Sequence, residues 1–365
     1  MGFSTEIKDF FLYCVRLGLW EVSTIPLSYP SSLNKKDWAL LQELATQQGL
    51  SAVLIDGLEK LPESQKPPKL ILLQWIGEVL QGYEYRYELY CRTIAEMAQF
   101  YNSHNYKMMV LKGYACGQDW PKPEHRPTGD IDIWLFGQQK SADAALAKEK
   151  GIEIDKNRHH HTVFYWHDFM VENHFDFLNI HHHKSNVEYE NILKSLSNDD
   201  SHSVEVYGER VYLPSPNLHA LFLLRHMMKH FASEVITLRQ LLDWAFFVKA
   251  HGKEVDWPYM EEILDKFGMS KLYDVFNAIC VEDLGFEVNI FQKVQFEPAL
   301  KDRVLNEILS PQFSTDLPKG IIRRSIYKYR RWKGNTWKHE LCYKESMWSA
   351  FWSGVWNHLL KPSSI

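Results

Sequence analysis

Leu111-Lys112-Gly113-Tyr114, followed after a polar, proline-containing loop by Arg126-Pro127-Thr128-Gly129-Asp130-Ile131-Asp132-Ile133, is the stretch that decides how this chain is read. Met108-Met109-Val110-Leu111 is a short apolar run after a loop, and Ile131 to Leu135 is a second run rich in branched residues. Both read as buried strands. Residues two apart in a strand face the same side, so Asp130 and Asp132 present two carboxylates together while Ile131 and Ile133 pack beneath.

Two carboxylates that close repel, and a divalent cation removes the repulsion. Hard oxygen ligands at this spacing suit magnesium or manganese rather than zinc. Such a pair at a strand start meets the electrostatic requirement of phosphoryl or nucleotidyl transfer, where metals hold phosphate oxygens. A third carboxylate is wanted. In Val171-Glu172-Asn173-His174-Phe175-Asp176-Phe177, alternation places Glu172, His174 and Asp176 on one face, so either Glu172 or Asp176 completes the set. An Asp-x-Asp by itself is as well explained by a solvated strand end. The order of apolar strand, glycine turn, basic residue, Asp-apolar-Asp strand and later acidic strand is what separates the two readings.

Working outward, residues 4 to about 97 show apolar positions spaced by three and four, with prolines between helices and one clean helix from Leu70 to Phe100. Ser141 to Lys150 reads as a helix, Thr162–Trp166 and Phe169–Leu178 as paired strands, and Val204–Leu213 as a further strand candidate. The helical pattern returns in Leu218–Phe231 and Ile236–Ala250. The expected organisation is a helical region over 1–99, a small α/β core over 100–215, a helical domain over 216–310 and a basic, Trp-rich segment over 311–365. The fold class is α+β, a small mixed sheet flanked by amino- and carboxy-terminal helical regions.

The chain has 365 residues, 45% hydrophobic and 24% charged, with a formal charge of -5. That balance provides no global attraction to nucleic acid, so a polyanion must meet a local patch. The five cysteines are far apart with no Cys-x-x-Cys pair, which argues against a zinc knuckle or a disulfide framework. Glu6 and Asp9 stand where a signal peptide would be basic, and no run reaches the roughly 18 apolar residues of a membrane span. A cytoplasmic protein without a membrane span is expected.

These residues resemble the polymerase-beta-like nucleotidyltransferase superfamily, and more closely its branch of uncharacterised nucleotidyltransferases. Leu111-Lys112-Gly113 resembles the branch's Leu-Lys-Gly turn, and Arg126 to Asp132 its Arg-Pro-x-x-Asp-hydrophobic-Asp segment. Val171-Glu172-Asn173-His174 is similar to its Val-Glu-x-His strand, and His159 to Phe164 to the histidine-rich strand between them. The resemblance covers about residues 100 to 250, with His226, His230, Arg239 and Asp243 in the matching helical region. It implies a metal-dependent enzyme that moves a nucleoside monophosphate from a nucleoside triphosphate such as ATP to an unidentified acceptor. Asp130, Asp132 and Glu172 are then the catalytic residues and the ligands of Mg2+ or Mn2+, and Gly113 faces the triphosphate. Tyr114 replaces the serine that normally follows the glycine, and the loop before Asp130 is longer. Lys112 and Arg126 are placed at the phosphates in compensation. The alternative is a catalytically inactive protein of the same fold, with Tyr114 blocking the turn, that binds a nucleotide, glycan or partner.

The triplets His159–His161 and His181–His183 suggest a transition-metal site, and with Glu172 a histidine-ligated metallohydrolase. Against this, consecutive strand residues point to opposite faces, so a triplet offers at most two ligands on one side. His160 is placed at the cleft. His226 and His230 read as packing histidines, and Arg239 with Asp243 as an intrahelical ion pair. Between Ile321 and Glu345, eight basic residues oppose two acidic ones, a balance of +6, and interleaved aromatics would suit a polyanion. Trp348, Trp352 and Trp356 form an apolar stripe. Neutralising both Asp130 and Asp132 is expected to leave the fold intact or slightly more stable, because like-charge repulsion is removed.

Overall fold

The computed structural model describes residues 3–20, 33–181, 183–313 and 317–348. The amino-terminal part is helical: α1 (Thr5–Leu19), α2 (Lys35–Gln48), α3 (Ser51–Glu59), α4 (Lys69–Val79) and α5 (Arg86–Ser103). Asn34 and Asp37 form a reciprocal capping box on α2. α1 and α3 meet backbone to backbone, since a Cβ on Gly57 would lie 1.9 Å from the Cys14 carbonyl oxygen. The helix expected over Leu70–Phe100 contains a π-helical turn at Leu80–Tyr85. That turn re-phases the run. α4 buries Trp75 and Val79 in one core, whereas α5 buries Tyr90, Ile94 and Met97 in another.

Next come β1 (Met109–Val110), α6 (Gly113–Gly117), β2 (Ile131–Trp134), α7 (Gln139–Lys150), β3 (His161–Trp166), β4 (Phe169–His174), α8 (Lys184–Leu196), β5 (Ser203–Val206) and β6 (Glu209–Tyr212). They build one six-stranded mixed sheet in the order β3-β4-β2-β1-β6-β5. β2 is antiparallel to β1 and parallel to β4, and β1 is parallel to β6. The expected strand over Val204–Leu213 is instead a hairpin, turning at Tyr207 and Gly208, both with positive φ. The strand expected to reach Leu178 stops at His174. There the Phe175 and Asp176 amides donate to the His160 carbonyl, and those of Phe177 and Leu178 to the Glu190 carboxylate.

Pro216 opens α9 (Pro216–Ser233) at a position where a missing N–H costs nothing, and α10 (Leu238–His251), α11 (Trp257–Phe267), α12 (Ser270–Glu282), α13 (Pro298–Leu309), α14 (Ile321–Gly334) and α15 (Thr336–Cys342) follow. The sheet lies between two cores, as its period-two pattern requires. Ile131, Ile133 and Val171 face α5 and α7. Met109, Leu111 and Trp134 face the larger core, which joins α1–α4 to the helices after Pro216. The architecture is α+β, a mixed sheet with flanking helices, and no helix among the described residues is long and apolar enough to cross a membrane. Trp352 and Trp356 of the apolar stripe lie outside the described residues.

Candidate active site

Parallel pairing sets Asp132 opposite Glu172 and Trp134 opposite His174. The register is fixed by the apolar residues between, because a one-residue slip would turn Ile131, Ile133 and Val171 out of the core they share with α5 and α7 and put the carboxylates into it. Asp130 precedes β2 on the same parity as Asp132. Asp132 is buried. It accepts from Lys112 Nζ at 2.6 Å and from His174 Nε2 at 2.9 Å, while His174 Nδ1 donates to the Asp176 carbonyl at 3.1 Å. Ligand atoms of Asp132, Glu172 and His174 lie within 4.8 Å of one another.

These contacts push the acids apart. Burial and the Asp132 charge raise the Asp130 carboxyl above its ordinary value, against the pull of Lys112. Burial works the same way on Asp132, but the Lys112 charge and the His174 hydrogen bond outweigh it and hold this carboxyl well below the usual range. Burial opposes charge on His174 too, yet its hydrogen bonds to Asp132 and Glu172 carry it up to about 9. Glu172 is lowered, because the His174 bond and the Lys112 charge overcome burial and the nearby Asp132. Asp132 and Glu172 bring carboxylate oxygens within 4.8 Å of one another, and added positive charge would relieve Asp130. The donor set fits a hard cation.

The turn before α6 delivers the lysine. Lys112 has φ 36°, a strained conformation for a residue with a side chain, and its ammonium lies against Asp132. Gly113 follows because a Cβ there would sit 2.5 Å from the Tyr90 hydroxyl, which donates to the Asp130 carbonyl. Tyr114 is buried in the core beneath the sheet and does not line the cavity. Arg126 is buried and forks onto Asp243, with Nε at 2.7 Å from Oδ1 and Nη2 at 2.9 Å from Oδ2. Asp243 therefore pairs chiefly with Arg126, and Arg239, its expected partner, stands farther off at 3.6 Å.

The acids face a cavity of about 490 Å³ whose opposite wall comes from α9 and α10, with His226, Lys229, His230, Arg239 and Gln240. Lys229 makes no ion pair among the described residues, and burial followed by the Lys112 charge lowers its pKa. His226 and His230, read from sequence as packing residues, stand at this wall with ring centroids 4.4 Å apart. No sequence motif marks Lys229. The available signal is polar residues at 226, 229 and 230, three and four apart on a helix whose other positions are mostly apolar.

His160 and His161 line the same cavity, His160 being free of strand alternation because β3 starts at His161. Burial lowers both, His161 to about 4. Of the second triplet, His181 and His183 do not line the cavity: His181 faces His159 at 5.4 Å and His183 stacks on Tyr343, while His182 lies outside the described residues. Asp176 lies past the end of β4, in an ion pair with Lys194. In the basic segment α14 buries no side chain, whereas Lys338 is buried against Glu307 at 3.0 Å.

A family model described as "Uncharacterised nucleotidyltransferase" matches residues 34–284. The chain belongs to this family. No protein of curated function matches it. A solved structure, of an antigenic nucleotidyltransferase-like protein from Paracoccidioides brasiliensis, is 15% identical with a TM-score of 0.32, over 44% of this chain and 75% of that one. A nucleotidyltransferase-like function is supported by the family.

Proposed function

We propose that the protein is a metal-dependent nucleotidyltransferase that moves a nucleoside monophosphate from a nucleoside triphosphate to an acceptor. The observation that carries this reading is the set of Asp130, just before β2, Asp132 of β2 and Glu172 of β4 at one side of a cavity whose other side bears Lys229 and Arg239. The three acids would hold magnesium or manganese, and such an ion, when bound, offsets charge on the phosphate oxygens and on the attacking and leaving oxygens. Lys229 and Arg239 meet the triphosphate from α9 and α10. Lys112, strained toward Asp132, contacts a phosphate when a ligand draws it off, and the turn at Gly113 brings backbone close to the same groups. Arg126 shapes the phosphate end of the cavity through its fork on Asp243. An acceptor hydroxyl oxygen bonds to the α-phosphorus, the bond to the bridging oxygen breaks, pyrophosphate leaves, and the hydroxyl proton passes to the ionised Glu172. The outward basic face of α14 suits a polyanionic acceptor.

Calorimetry of the four triphosphates with magnesium or manganese, followed by transfer of label from an α-labelled triphosphate, tests the reading. Asp130→Asn and Glu172→Gln are each expected to weaken metal-triphosphate binding by at least about tenfold and to abolish transfer. Equal binding by wild type and both variants refutes the site. Triphosphate bound tightly but never transferred supports the binding-protein alternative.

A further inference from the structure

His160, His161 and His174 each bring a ring nitrogen within 4.8 Å of the other two. They come from three backbone settings: the turn before β3, the first residue of β3, and the last residue of β4. The Nδ1 atoms of His160 and His161 are buried and have no hydrogen-bond partner among the described residues, and His161 as a residue is 9% exposed. Two orphaned nitrogens on adjacent residues are unusual, because buried polar atoms are nearly always paired. His174 is oriented by its Nδ1–H bond to the Asp176 carbonyl, an arrangement that fixes a ring and turns Nε2 toward a ligand. Glu172 stands 3.6 Å from both His161 Nε2 and His174 Nε2, one carboxylate oxygen toward each.

We propose that His160, His161 and His174, with Glu172 beside them, form a second metal site that takes a borderline transition-metal ion of the zinc type. Three imidazoles and a carboxylate are the donors of a tetrahedral zinc or cobalt centre and a poor set for magnesium, which prefers oxygen. The site adjoins the hard-cation acids and shares the cavity with them. Occupation draws His174 Nε2 away from Asp132 Oδ1, which it contacts at 2.9 Å, and so frees Asp132 for the hard cation. The two ions are therefore coupled through His174 and through Glu172, which stands beside both sets. The imidazole site stands without the nucleotidyl-transfer reading, since none of its three rings depends on a triphosphate.

The test uses full-length protein without an affinity tag, stripped with chelator and titrated with cobalt(II) or zinc(II). One equivalent of cobalt with the visible absorption of a tetrahedral centre is expected, displaced by zinc and not by excess magnesium. His160→Gln and His161→Gln are expected to weaken cobalt binding by about tenfold or more. His167→Gln, at an exposed hairpin turn, and Asp130→Asn are expected to bind as wild type. Melting of the metal-free variants shows whether they fold. If wild type binds no cobalt in this form, or if folded His160→Gln and His161→Gln bind like wild type, the proposal is overturned. Loss of triphosphate binding in Asp130→Asn with cobalt binding intact separates its fate from that of the nucleotidyltransferase reading.

Discussion

Removing the charge of Asp132 in the metal-free protein reverses the expectation drawn from the Asp-x-Asp pattern. From sequence, two adjacent carboxylates repel and their neutralisation is neutral or stabilising. In the structure Asp132 carries the counter-charge of Lys112 at 2.6 Å and of His174 at 2.9 Å, all three largely withdrawn from water. Breaking a buried pair leaves an uncompensated ion and costs roughly 3–5 kcal/mol. His174 can shed its proton in the variant, so Asp132→Asn is expected near the lower end, on the order of 3 kcal/mol. Asp130→Asn behaves oppositely: its carboxyl is raised in the fold, its charge is a burden, and the variant matches or exceeds wild type. The pH window follows. Asp132 is depressed in the fold, so its contribution is present above its unfolded value of about 3.9 and fades on acidification below that. His174 is raised to about 9, so its contribution is complete below an unfolded value of about 6.5 and is lost as pH rises through 9. Urea unfolding of chelator-treated protein, followed by circular dichroism, should show the largest gap between wild type and Asp132→Asn near pH 5 to 6, and a smaller one near pH 9.5. An Asp132→Asn variant as stable as wild type at pH 5.5 would refute the reasoning.

Two further outcomes follow from single contacts. Lys229→Met removes a half-buried cation without a carboxylate partner among the described residues, so its melting temperature should equal or exceed that of wild type while triphosphate affinity falls by on the order of 1–3 kcal/mol in calorimetry; unchanged affinity removes Lys229 from the phosphate wall. Gly113→Ala should cost on the order of 1–3 kcal/mol through the 2.5 Å approach to the Tyr90 hydroxyl, and Gly113→Ala combined with Tyr90→Phe should cost less than the two changes summed; strict additivity in chemical denaturation would show that the clash is not the cause.

The mixed α+β architecture and the membership of Asp130, Asp132 and Glu172 in one face were legible from the chain, because both depend on local pattern. Period-two alternation assigns Asp132 and Ile133 to opposite sides whatever the rest of the protein does, and an acidic residue in a branched apolar strand narrows its own placement. The resemblance favours Glu172 over Asp176, but the end of the strand between them is not legible in the sequence. Only the docking of α8, whose Glu190 captures the Phe177 and Leu178 amides, ends β4 before Asp176. Side-chain partnerships between distant segments were equally hidden, since Arg126 and Asp243 lie 117 positions apart and nothing in either neighbourhood names the other. The same holds for Lys229 at the cavity wall and for the meeting of His160 and His161 with His174. Hydrophobic periodicity determines which face of a strand or helix turns inward, and it is written in the sequence. Which polar groups then meet across the cavity depends on how the packed helices close over the sheet, and only the tertiary structure decides that.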